Sequence, residues 1–129
     1  MSNSKPIACD VTTLTKDETK FLTAVSFELF ATIQEVKNLS DGYAFRLQEN
    51  SDTIRRLFDF VALDRICCPF VLHTIVVGAK GEAVWLHLTG YGETKHFITS
   101  EFMSFPDSAF APKLKEDLLK LSKMPSGYK

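Results

Sequence analysis

The chain is predicted to be an α+β domain: a four-stranded, mainly antiparallel sheet made of two β-hairpins, helices packed on one face, and an additional C-terminal helix. Three observations carry this. A capping box opens a strongly periodic helix, Asp41-Gly42 separates two alternating segments, and 70–77 and 83–89 form a second pair of apolar strands around Lys80-Gly81. Two hairpins among helices most simply make one sheet with the helices layered on it.

Each element has its own signal. Residues 1–12 read as an extended arm. In Thr15-Lys16-Asp17-Glu18 the threonine can accept from the third helical amide while Glu18 returns to the threonine's own amide. Phe21, Leu22, Val25, Leu29 and Ile33 then recur at helical spacing, so a first helix is expected over about 16–33. Asp-Gly suits a type I′ turn, which needs positive φ at both central residues. That turn would bring Val36 opposite Leu47 and alternate Tyr43, Phe45 and Leu47 with Ala44, Arg46 and Gln48. Ser51 or Asp52 is expected to cap a second helix that Pro69 ends, because the residue before a proline is driven out of the helical region. A third helix is expected over about 93–104, carrying Phe97, Ile98, Glu101, Phe102 and Phe105. The last, after Pro112, has a narrow stripe of Leu114, Leu118 and Leu121, and residues 124–129 read as a loose tail.

At 129 residues one domain, 1–129, is expected, large enough to bury a core without staples. A net charge of −1 with dispersed basic residues gives no footprint for nucleic acid. No apolar run approaches the roughly 18 residues that cross a bilayer. Three cysteines without an export signal point to a reducing, cytoplasmic setting rather than a disulfide framework.

The chemistry gathers at Asp64–Phe70, DRICCPF. On a wheel of about 100° per residue the second helix has a core stripe of Ile54, Leu57, Phe58 and Val61. Extended, that stripe takes in Cys68, with Asp64 and Arg65 on its flanks and Cys67 towards the wet side. Charges on a buried face are rare unless partnered. Thiolates suit zinc, Cu(I) or a heavier thiophilic ion, and His73 is the nearest further donor. Cys9 could add a fourth ligand only if the arm folds back. The candidate ligand set is therefore Asp64, Arg65, Cys67, Cys68, Pro69 and His73, with Cys67 and Cys68 as metal ligands; no particular cofactor is implied. The alternatives are an enzyme with Cys67 or Cys68 as nucleophile beside Arg65, and inert cysteines packed as small hydrophobes in a structural or interaction protein. A helix C-terminus disfavours a thiolate, and adjacent cysteines sit too close for an unstrained disulfide with each other. Gly90–Lys95 lacks P-loop spacing and reads as a strand-to-helix turn.

In the second hairpin Val71, His73, Ile75 and Val77 share a face with Val84, Leu86 and Leu88. Leu72, Thr74, Val76, Trp85, His87 and Thr89 lie on the other. Helices on one face leave the second set bare, so a homodimer through Leu72, Val76 and Trp85 is expected. The alternative is that Leu114, Leu118 and Leu121 of the last helix fold across it.

The runs Asp64–Phe70, Trp85–Gly90 and Lys95–Ile98, with Ile7–Asp10 and Asp41–Phe45, resemble a family of small uncharacterised bacterial proteins. Its pattern is E-R-x-C-C-P-F, then W-L-x-L-T-G, then K-x-F-[LI]. The likeness covers roughly residues 7–102, implies no activity, and directs attention to Arg65, Cys67, Cys68 and Pro69. Asp64 stands where the pattern has Glu, and His73 where an aromatic or apolar residue is expected.

Overall fold

The computed structural model describes residues 9–106, 110 and 113–124. After a 3-10 turn at Val11–Thr13 the order is α1 (Lys16–Phe30), β1 (Ile33–Leu39), β2 (Gly42–Leu47), α2 (Ser51–Cys67), β3 (Leu72–Val77), β4 (Val84–Thr89), α3 (Thr94–Ser104) and α4 (Leu114–Ser122). The four strands form one antiparallel sheet in the order β1-β2-β4-β3, so the two hairpins join through β2 and β4. The fold is α+β, as the alternation of helices and hairpins predicts. Pro112 and residues 125–129 lie outside the described residues.

The capping box forms in full. Glu18 donates its backbone N–H to Thr15 Oγ1 at 3.0 Å, and Thr15 N–H returns to Glu18 Oε1 at 2.9 Å. The helix ends at Phe30, short of the expected Ile33, which opens β1 and pairs with Leu47. At the start of α2 the cap is Asn50, one residue before Ser51, with Oδ1 accepting from Thr53 N–H at 2.8 Å. Asn is as good an N-cap as Ser or Asp, and only the neighbour whose backbone is extended can serve.

The first hairpin departs from expectation in an instructive way. Leu39 pairs with Gly42, so the loop is Ser40-Asp41, Gly42 is already in the strand, and no described residue there has positive φ. The register slides by two residues, and Val36 faces Phe45 rather than Leu47. A slip of two keeps every side chain on its face. Gly42 is needed for approach, not for turn geometry. A Cβ there would run into the Leu88 carbonyl oxygen and stand 2.7 Å from Thr89 Cα, where β2 meets β4.

Tyr43, Phe45, Leu47, Val84, Leu86 and Leu88 form the sheet's buried face, and Phe30, Phe60, Phe102, Phe110, Leu114 and Leu118 meet them in one core. Phe102 stacks on Phe45 at 4.8 Å between centroids and packs on Phe30 at 4.9 Å. Leu114 and Leu118 thus belong to this core, and α4 does not cross the sheet's other face. Leu72 is 63% and Val76 42% exposed on that side, while Lys37 lies over the Trp85 ring. Lys95, beside the glycine-rich turn, is spent on Asn38 Oδ1 and the Leu39 carbonyl, which ties α3 to the end of β1.

Candidate functional site: a three-sulfur cluster on an apolar cavity

The face that α2 buries is Thr53, Leu57, Phe60 and Cys67, rotated from the stripe read off the sequence; Phe58, placed in that stripe, is 55% exposed. A wheel gives the spacing of apolar residues but not which of two overlapping stripes meets the core. Rotation turns Asp64 and Cys67 inwards and leaves Arg65 exposed, correcting the expectation that Arg65 flanks the buried side and Cys67 faces water.

The chain leaves the helix between the two cysteines. Cys68 donates its backbone N–H to the Asp64 carbonyl at 2.8 Å and then takes φ −123°, ψ 68°, with Pro69 exposed beyond it. On an unbroken helix neighbouring side chains diverge by about 100°. Here the two sulfurs converge to 3.7 Å, and both residues are 3% exposed.

Residues 1–8 of the arm lie outside the described residues, and Cys9 and Asp10 lie against this corner. Asp10 donates its backbone N–H to the Cys67 carbonyl at 2.8 Å, and Cys9 and Cys68 are joined by a disulfide across 59 residues, with Cα atoms 4.6 Å apart. The expectation of cysteines without a disulfide is thereby corrected. Neither a cysteine count nor the want of an export signal carries information on what Cys9 touches. Cys67 keeps its thiol and directs it to the Asp64 carbonyl at 3.6 Å. The three sulfurs all lie within 4.8 Å of one another.

Asp64 connects the cluster to His73. Its Oδ2 is 2.7 Å from His73 Nε2, and its Oδ1 stands 3.8 Å from Cys68 Sγ. The His73 side chain is 4% exposed and its ring meets the Phe60 edge. His73 therefore reaches the sulfurs through Asp64 and is not itself a member of the cluster. A histidine fixed in this way orients a carboxylate beside a ligand site, the relation usual for groups outside a metal's own ligands.

All three cysteines line a cavity of about 190 Å³, walled by Leu22, Phe30, Phe60 and Phe102, and of its lining residues Thr23 and Glu101 are exposed. Burial, and then the nearby Asp64 charge, push the Cys67 thiol from 9.0 up to about 11, with Glu101 and Asp10 adding to the rise. Desolvation of the part of Glu101 that lines the cavity, and then the Asp64 charge, also raise its carboxyl. Glu101 belongs to the site although the sequence placed it only as a helix residue. The signal was an acid set among Phe97, Ile98 and Phe102. Such a thiol holds its proton at neutral pH, about one part in 10⁴ being thiolate, so the corner is poorly suited to unaided nucleophilic attack. It suits a ligand that brings its own affinity for sulfur.

No protein family, curated protein or solved structure matches this chain. No described helix is long and apolar enough to cross a membrane.

Proposed function

We propose that the chain is a binding or sensing module that, once its disulfide is reduced, holds a thiophilic ion or small ligand at Cys67 and Cys68, with Cys9 as a third sulfur. The observation that carries this is the convergence of three sulfurs within 4.8 Å in a buried corner. Two thiolates on a tetrahedral ion with bonds of about 2.3 Å stand about 3.8 Å apart. Cys67 and Cys68 are at 3.7 Å already. Asp64, anchored by His73, is the neighbouring oxygen donor. The high thiol pKa means that an ion must displace protons, so affinity rises with pH.

The test is titration of the reduced protein with Zn(II), Cu(I) and Hg(II), with thiols counted before and after. Protection of three thiols at one equivalent, lost in Cys67→Ser and Cys68→Ser, supports the reading. Thiol reactivity unchanged by every ion sinks it.

A second reading concerns assembly. Leu72 and Val76 are exposed on the face that the helices leave bare, and we infer a homodimer through them and Trp85. Glu35, Lys37 and Arg46 share that face, so a two-fold partner finds both charge signs around an apolar centre. Sedimentation of the wild type and Trp85→Ala decides it, and a wild type monomeric at high micromolar concentration refutes the dimer.

A further inference from the structure

The cavity beside the sulfurs is larger than bare ion binding requires. Its walls are largely apolar, five phenylalanines among them, and its volume of about 190 Å³ exceeds the roughly 150 Å³ of an engineered cavity that takes up benzene. A ligand that fills the whole site must carry a sulfur-seeking centre and an apolar body on the same molecule. We propose that the reduced chain binds a mono-organo trivalent arsenical, R–As(OH)₂, with arsenic on Cys67 and Cys68 and the organic group R in the cavity. This rests on the sulfur-site reading above and specifies its ligand.

The chemistry balances without a change in the oxidation state of arsenic. Two equivalents of a monothiol first reduce the Cys9–Cys68 bridge and leave as their own disulfide. Two As–O bonds then break and two As–S bonds form. Each cysteine proton leaves with a hydroxide as water, and the adduct is neutral. That neutrality selects among soft ligands. The Asp64 carboxylate stands 3.8 Å from Cys68 Sγ, so two thiolates on a singly charged organomercury cation, which leave a net negative centre, fit less well. The adjacent sulfurs at 3.7 Å supply the two-point chelate, and Cys9 stays unused by R–As. Inorganic As(OH)₃ differs here, since it takes three thiols and therefore needs Cys9.

The experiment uses the full chain, reduced with a phosphine that is then removed, and titrates it by calorimetry with phenylarsine oxide, methylarsonous acid and arsenite. Moving a phenyl group rather than a methyl out of water should give binding on the order of 10- to 100-fold tighter for the phenyl compound. Two variants separate the parts. Ser26→Leu, a buried wall position, fills the cavity and should weaken the phenyl compound about tenfold or more while leaving arsenite within about twofold. Cys9→Ser should do the opposite. Phenyl binding no tighter than methyl, in the wild type, overturns the cavity's role and leaves the sulfur site standing. Absence of binding by all three compounds overturns the sulfur site itself.

Discussion

Breaking the Cys9–Cys68 bridge should cost the fold several kilocalories per mole. The bridge closes a loop spanning 59 residues. The chain-entropy relation gives about 14 cal/mol/K for a loop of that size, or about 4 kcal/mol at 25 °C. The arm's other ties to α2 include one backbone hydrogen bond, Asp10 N–H to the Cys67 carbonyl. A bond of that kind is worth about 1 kcal/mol and cannot replace the cross-link. The assay is urea unfolding of the oxidised protein, the phosphine-reduced protein and Cys9→Ser, followed by Trp85 fluorescence. With an m-value of about 1.5 kcal/mol/M, the two thiol forms should unfold roughly 2–3 M urea earlier than the oxidised one. They should also agree with each other, because both lack the same loop closure. Coincident midpoints for the oxidised and reduced protein would refute the argument, as would three titratable thiols in the oxidised protein.

Gly42→Ala should destabilise the protein by about 3 kcal/mol or more, since the new methyl meets the backbone of β4 rather than a side chain that can turn away; thermal unfolding reads it. In the oxidised protein the stability contributed by the neutral Cys67 thiol should fall as pH rises from about 9 to about 11. The folded state holds that proton to about 11, whereas the unfolded chain releases it near 9.0. The loss is on the order of 3 kcal/mol, and Cys67→Ala should remove this slope from the pH profile. Alkylation of Cys67 in the oxidised protein should show no inflection below about pH 10. Asp64→Asn should lower the Cys67 pKa and weaken Zn(II) binding by the reduced protein about tenfold, whereas Asp52→Asn, in an exposed pair with Arg55, should do neither.

What was legible in the sequence was local. The Thr15–Glu18 box, the periodicity behind it, the stop at Pro69 and the alternation in 70–77 and 83–89 depend on residues within a few positions of one another, and all appear in the fold. The burial of His73 followed from the same alternation. What was not legible depended on distant contacts. The rotation of α2 is fixed by what lies against Thr53 and Phe60, and neither residue announces it. The strand register turned on the approach of Gly42 to Leu88, which belongs to a strand about 46 positions away. Cys9 enters the site only because the chain at Cys9 and Asp10 lies against the end of α2. Glu101 enters because α3 borders the same cavity.

The break in the backbone at Cys68 has a consequence for how ligand occupancy could be observed. The spacing of the two sulfurs holds only while the last turn of α2 is formed and the chain departs from it at one position. Helix ends open locally at far lower free energy than the fold as a whole. A ligand bridging Cys67 and Cys68 clamps that opening, so the amide of Cys68, bonded to the Asp64 carbonyl, should exchange its hydrogen much more slowly in the bound protein. The amide of Thr53, bonded to Asn50 at the far end of the same helix, should exchange at an unchanged rate. The fraying of one helical turn thus becomes a reporter of occupancy that needs neither a chromophore nor a catalysed reaction.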